Sequence, residues 1–467
     1  MRSVWLLSLY LAFIVMGASA PFVTTLGYVW VDTFRPQEVA YLILNQIPVA
    51  LIMGIAAVGS YMVLDRRSPP RFSLETGLVV LMALWVTLTL TWAEVPDAAW
   101  GKWSTVFKTL IFAAFVPYVI RSRIQIEAFA QTYVLSLAAN FIPFGIKTMI
   151  SGGGYGSNLG LQQGNSGLSE GGLLSTVCLM AVPLAIYLSN YSLLIPRLKL
   201  SGWGYRGIAG LAIMTAIGTY ERSALIGLIA LGAIMWVRSK NKFVFGLAGL
   251  VVAGAVAFTT SSAWNQRIST IGSFQTENSA YVRILVWKWT LDYTSRNPLG
   301  GGFQAYLIDH VDVPGTAESP GFTQFGRAFH SIYFEVLGEH GYPGLFMFLL
   351  IAGSMLVKLH RLSKKASAYP ELDWVVSLSG ALQGGLAVFL TAGAFVGIAF
   401  QPMFWYFVAM GISLNAYMWR VEHPHTGVLP GWRLPERPRE AELPRPSGSG
   451  LRAGNLKPDW ADGLRPR

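Results

Sequence analysis

Apolar residues in this chain run in long blocks separated by short polar clusters, and they show little of the alternation expected of strands or of one-sided helices. The first block, VWLLSLYLAFIVMGASA after Arg2, imitates a signal peptide as far as Ala18-Ser19-Ala20, but Pro21 directly afterwards argues against cleavage. It is therefore read as the first transmembrane helix. Eleven further blocks lie at about 40–64, 77–92, 104–120, 128–150, 171–189, 205–220, 223–237, 243–260, 332–357, 374–398 and 403–419. Several approach the roughly 20 apolar residues that a bilayer requires. The pattern predicts an all-α, polytopic integral membrane protein of about 12 transmembrane helices. Helices 1–9 occupy residues 1–260, a large outward loop carrying a short amphipathic helix occupies 261–331, and helices 10–12 occupy 332–419.

Composition agrees with that class and removes others. Of 467 residues, 53% are hydrophobic and 13% charged, and the mean hydropathy is +0.46, too apolar for a soluble chain of this length. The net charge of +11 raises the question of nucleic acid. The basic residues, however, sit in short clusters between apolar blocks, where membrane topology explains them better. Alternate connections collect Arg2, Arg66, Arg67, Arg71, Arg121, Arg123, Arg197, Lys199, Arg206, Arg238, Lys240, Lys242, Lys358, Arg361, Lys364, Lys365 and the tail, 25 of the 35 Lys and Arg. That alternation predicts both termini on the cytoplasmic side and the 261–331 loop facing outward. The single cysteine, Cys178, lies in an apolar block, so an intrachain disulfide and a cysteine-based metal site are excluded.

Two segments carry little apolar content. The Gly-rich stretch SGGGYGSNLGLQQGNSGLSEGG (151–172) lacks the Gly-Lys-Ser/Thr of a phosphate cradle and reads as a flexible connector. The tail over 420–467, rich in Pro and Arg, has too few large apolar residues to form a core and is expected to be disordered, in reach of anionic lipid.

Candidate chemistry gathers in 281–350. On a helix over 281–296, Lys288, Asp292 and Arg296 share one stripe and pair among themselves. Arg283 points the other way, among Ile284, Val286 and Trp287, with no carboxylate three or four residues away. It either snorkels to the interface or meets an anion from elsewhere, such as a phosphate. Arg222, in GTYERSALIGL, lies at an outward turn beside Glu221, which is able to neutralise it. Two guanidiniums on one side are also able to clamp a diphosphate through paired hydrogen bonds. Of six histidines, His310, His330 and His340 face outward. His330 opens HSIYFEVLGEHGYPG at the membrane surface, where an imidazole exchanges a proton near neutral pH. Asp309, Asp312 and Glu318 are a weak match to a metal motif. A straight helix from His330 to Val357 would measure about 42 Å, against a hydrocarbon core of roughly 30 Å. Gly341-Tyr342-Pro343-Gly344 is therefore expected to break it.

The arrangement of Arg283, Asn297-Pro-Leu-Gly-Gly-Gly and then His330-Ser-x-Tyr-x-x-x-Leu-Gly-Glu-x-Gly-x-x-Gly resembles the O-antigen ligase and polymerase superfamily of bacterial inner-membrane proteins. The N-terminal PFVTTLGYVWVDTFRPQEV is similar to the branch called putative O-glycosylation ligases, found with exosortase systems. The resemblance implies that a glycan passes from a polyprenyl diphosphate to an acceptor hydroxyl of a lipid, protein or growing polysaccharide on the periplasmic side, without nucleotide or metal. By the family's motifs, Arg222 and Arg283 hold the diphosphate and His330 is the base. Ser331 stands where ligases commonly carry Asn, which bears on the acceptor. A transporter or flippase of the same lipid-linked glycan is the alternative from another class. It would favour ionisable residues at mid-span, whereas Lys108, Lys147, Glu221 and Arg222 are all expected near helix ends.

Overall fold

The computed structural model describes residues 2–40, 43–65, 69–70, 72–151, 168, 170–195, 199–238, 242–243, 246, 278–313 and 321–423. Its helices are α1 (Arg2–Gly17), α2 (Pro21–Phe34), α3 (Pro36–Val39), α4 (Ile43–Gln46), α5 (Val49–Leu64), α6 (Leu74–Leu88), α7 (Pro96–Val119), α8 (Arg123–Ser151), α9 (Gly171–Tyr191), α10 (Lys199–Gly218), α11 (Arg222–Arg238), α12 (Asn278–Arg296), α13 (Ile332–Ala366), α14 (Asp373–Ala392) and α15 (Pro402–Glu422). A two-stranded antiparallel ribbon, β1 (His310–Val313) and β2 (Phe322–Phe325), pairs His310 with Phe325. This is an all-α integral membrane protein apart from that ribbon.

Helix α9 is the axis of the core. Nearly every side chain from Gly171 to Leu188 is buried, and α8, α10, α11 and α14 pack around it. An apolar helix is buried on all sides only when neighbours surround it completely. The first half of α15, Pro402–Leu414, is likewise buried throughout and packs against α7 and α13.

Among the described residues, five helices are long and apolar enough to cross a membrane: Leu74–Trp92, Arg123–Ile150, Gly171–Tyr191, Ile332–Ala366 and Pro370–Phe395. Among the described residues, the other blocks counted as spans form helices that are shorter or less apolar than these. The block at 243–260 lies almost wholly outside the described residues, as do most of the 151–172 loop and the tail beyond His423.

The N-terminal region departs from the predicted pattern. The expected span at 40–64 begins only at Val49, after a break at Ile47-Pro48. An additional helix, α2, occupies PFVTTLGYVWVDTF, where Pro21 takes the first-turn position that needs no amide donor. Its residues Thr24, Tyr28, Val29 and Val31 are buried, so this stretch is core and not connector. Tyr10 Oη donates to the Val49 carbonyl (3.1 Å), Thr24 Oγ1 meets Ser60 Oγ (3.1 Å), and Phe13 stacks on Trp30. These contacts make α1 parallel to α5, with α2 antiparallel to both. Arg2 and Asp65 consequently lie at opposite ends of this unit.

Beyond residue 65 the two ends of the bundle carry different polar groups. One end carries Lys358 on Glu75 (2.6 Å), Lys365 on Glu422 (2.6 Å) and Tyr191 on Asp373. The other end carries α12, the ribbon and the start of α13. Two further expectations change. Helix α13 continues to Ala366, so Lys358, Arg361, Lys364 and Lys365 are helical and not in a connection. Lys108 sits in the middle of α7, exposed, because that helix begins at Pro96.

Candidate active site

Helix α13 is broken where its length requires. Gly341 has φ 67° and ψ −168°, so a short outer helix, 332–340, precedes the long one. A break leaves carbonyls without intrahelical donors, and the Asn297-Pro-Leu-Gly-Gly-Gly loop satisfies them. Gly301 N donates to the Gly338 carbonyl (3.0 Å), Gly302 N to the Glu339 carbonyl (2.8 Å), and Tyr342 N to the Pro298 carbonyl (3.0 Å). Gly300 has φ 77°, and a Cβ there would lie 2.4 Å from Gly341 N; one on Gly341 would lie 2.2 Å from the Pro298 carbonyl oxygen. The glycines let two backbones touch. The 89–95 turn closes over this junction through Trp92 Nε1 to the Gly300 carbonyl (3.1 Å), Glu94 N to the Gly301 carbonyl (2.8 Å), and Tyr293 Oη to Glu94 (2.7 Å).

Beneath the outer helix lies an ion cluster. Lys102 Nζ, on α7, donates to Glu335 Oε1 (2.7 Å) and to both oxygens of Glu339 (2.7 and 3.0 Å). Glu339 also accepts from Gln304 N (2.8 Å), and Glu335 from Ala399 N (2.9 Å). Burial disfavours a charged Lys102, but the two glutamates outweigh it and its pKa rises. The Glu of the Leu-Gly-Glu motif thus ties together α7, the glycine loop and the outer helix. The sequence reading gave no role to Lys102 or Glu335.

His330 does not begin the helix. Ser331 is the N-cap, and His330 precedes it in the left-handed region at φ 48°. Phe329, just before it, is buried, and its carbonyl accepts from Trp287 Nε1 (2.8 Å), while the Trp287 and Phe334 rings stack at 5.0 Å. Arg283 lies one helical turn before Trp287, on the same face of α12. Its charge reaches His330. The pKa of His330 is lowered to about 4, first by burial and then by Arg283 and Arg327. The imidazole is therefore neutral at physiological pH.

Four further charged groups converge on Arg283. Its pKa is lowered, chiefly by burial; Arg222 and Arg327 add to that, while Glu221 and Glu170 oppose it. The structure thus brings Arg222 and Arg283 into one electrostatic neighbourhood. Part of the anion that Arg283 lacks on its own helix comes from those two carboxylates, and Asp292 is taken by Arg296. The pKa of Glu170 is raised, mainly by burial and then by Glu221. Arg327 was missed by the sequence reading, although an arginine three residues before His330 on the side poor in basic residues was a signal. Asp309 sets its place, accepting from Arg327 N (2.8 Å); burial, eased by that amide, raises the Asp309 pKa to about 6. The Nε atoms of Arg283 and Arg327 are buried and find no hydrogen-bond partner among the described residues.

The other two outward histidines lie elsewhere. His310 is exposed on β1. His340 is fully buried, with Nδ1 against Thr89 Oγ1 (3.0 Å) and its ring edge-on to Phe303 and Phe400. It packs the junction and does not face solvent.

A neutral imidazole beside arginines with unused donors is suited to taking a proton near a bound anion. Residues 207–349, which contain Arg222, Arg283, Arg327 and His330, match the family model described as O-antigen ligase. This match supports the O-antigen ligase superfamily and a glycan-processing function of ligase or polymerase type. Residues 1–193 match a family of unknown function, DUF5935. No curated protein matches the chain.

Proposed function

We propose that this O-antigen ligase-like protein is an inverting glycosyltransferase that needs no metal, working on the periplasmic side of a bacterial inner membrane. It moves a saccharide from a polyprenyl diphosphate to an acceptor hydroxyl. The observation that carries this reading is the convergence of Arg222, Arg283 and Arg327 on one neighbourhood that includes a neutral His330. In this reading the acceptor hydroxyl attacks the anomeric carbon while His330 takes its proton, and the glycosidic bond to the diphosphate breaks. The arginines stabilise the charge growing on the departing diphosphate. The partly dry setting strengthens that stabilisation. Glu221 and Glu170 hold the arginines in the substrate-free state and yield them to the donor. A diphosphate beside His330 offsets the cations that depress its pKa, so donor binding itself makes the imidazole a better base.

Reconstitution of the purified protein with a polyprenyl-diphosphate glycan and candidate acceptors tests this. The expected result is release of the lipid diphosphate together with glycosylated acceptor. Glycan that crosses the bilayer still attached to its lipid would instead establish a flippase. The orientation has its own test, for which Cys178 gives a low background because it is buried. Cysteines introduced at exposed positions such as His310 or Phe325 should react with an impermeant thiol reagent in intact spheroplasts, and one at Lys364 should not; the reverse outcome removes the periplasmic site.

A further inference from the structure

At the end of the bundle away from His330, a cavity of about 310 Å³ opens between the start of α6, the last turn of α7, α13 and the last turns of α15. Its wall is of two kinds. Arg121, Lys358 and Arg420 bring three basic groups to it, and none of the described residues that line it is acidic. Arg420 donates to the Arg121 carbonyl and Arg121 Nε to the Tyr118 carbonyl (3.3 Å), so main-chain oxygens fix where the two guanidiniums sit. Lys358 is steadied by Glu75 (2.6 Å). The N-terminus of α6, capped by Ser73, adds a positive dipole end at the same wall. Ser73, Thr76, Tyr118 and Asn415 add uncharged polar groups, and the remaining, apolar part of the wall reaches the surface, with Phe72 62% and Leu74 66% exposed. Trp419 lines the cavity as well, an aromatic residue of the kind that settles at headgroup level.

We propose that this cavity binds the phosphate headgroup of an anionic membrane lipid. A phosphate ester satisfies converging guanidinium and ammonium donors. Inorganic phosphate carries the same chemistry, but the apolar rim of Phe72 and Leu74 suits a headgroup whose acyl chains lie along it. The site stands apart from the candidate active site and shares no residue with it. It would seat the helices α6, α7, α13 and α15 against one lipid.

Native mass spectrometry of the full-length protein in detergent, titrated with phosphatidylglycerol, phosphatidylcholine or inorganic phosphate, decides it. Phosphatidylglycerol is expected to bind about tenfold more tightly than phosphatidylcholine, and Arg420→Gln to remove most of that margin, the scale of one charge-assisted hydrogen bond. Inorganic phosphate at equal concentration should not displace the lipid. Equal binding of the two lipids, an unchanged preference in Arg420→Gln, or displacement by inorganic phosphate each overturns the proposal. If Arg420→Gln does not purify as a folded protein, Ala416→Trp, which fills the cavity and leaves the basic residues in place, takes its role with the same expected loss of preference.

Discussion

Two polar clusters flank the outer helix of α13, and they solve the problem of buried charge in opposite ways. In the Lys102 cluster every charged group has direct partners: one ammonium bridges two carboxylates, and each carboxylate also accepts from a backbone amide. In the His330 cluster three arginines meet two carboxylates, and two guanidinium nitrogens are buried with no partner among the described residues. Burying unmatched donors is costly. A fold retains such an arrangement most readily where a ligand completes it. The first cluster therefore reads as architecture, and the second has the unmatched donors that the proposed diphosphate site requires.

The sharpest way to break this contrast is His330→Ala. Turnover should fall about 10²- to 10⁴-fold, the usual contribution of a general base, with thermal unfolding in detergent unchanged and donor affinity largely kept. His310→Ala should leave turnover near parental. A His330→Ala protein that transfers at the parental rate removes the base from the mechanism. Lys102→Met is the counterpart on the other cluster. It leaves Glu335 and the fully buried Glu339 without their cation and should cost about 3 kcal/mol, measured as a lower Tm in detergent. An unchanged Tm with collapsed turnover would instead move Lys102 into the reacting cluster.

Smaller effects sharpen the comparison further. Arg222→Lys and Arg283→Lys keep the charge but lose the planar fork, so donor affinity should weaken by about tenfold while the protein still inserts. If both lysine variants match the parent, the arginines are interfacial anchors. The last effect is a shift of pH profile. His330, with its pKa lowered to about 4, stays neutral above that value, so the acid limb of kcat/KM, which reports the free enzyme, should fall near 4 and not near 6.5. The limb of kcat should lie higher, because the bound diphosphate offsets Arg283 and Arg327. Arg283→Gln should move the kcat/KM limb part of the way towards 6.5. A limb that stays fixed in this variant means that Arg283 does not act on His330.

Much of this protein is set by short-range physics and is readable without coordinates. Apolar blocks dictated helices from α6 onwards, five of which among the described residues are long and apolar enough to cross a membrane, and the excess length from His330 to Val357 required the break found at Gly341. The missing carboxylate near Arg283 along its own helix was equally visible. What only the tertiary structure decided involves groups far apart in the chain. Helix α2 is short and broken up by Thr and Gly, and it is fixed as core by packing on α1 and α5, which sets Arg2 and Asp65 at opposite ends of that unit. Lys102 meets Glu335 and Glu339 across more than 230 positions of sequence, and Arg327 gains its place through Asp309. His340 and His330 are alike as letters, yet one is buried against Thr89 while the other sits at a left-handed backbone position under the influence of the Arg283 charge. Periodicity records which way a side chain faces on its own helix. The charge and burial it meets there are set by other helices, and these determine whether a histidine packs or reacts.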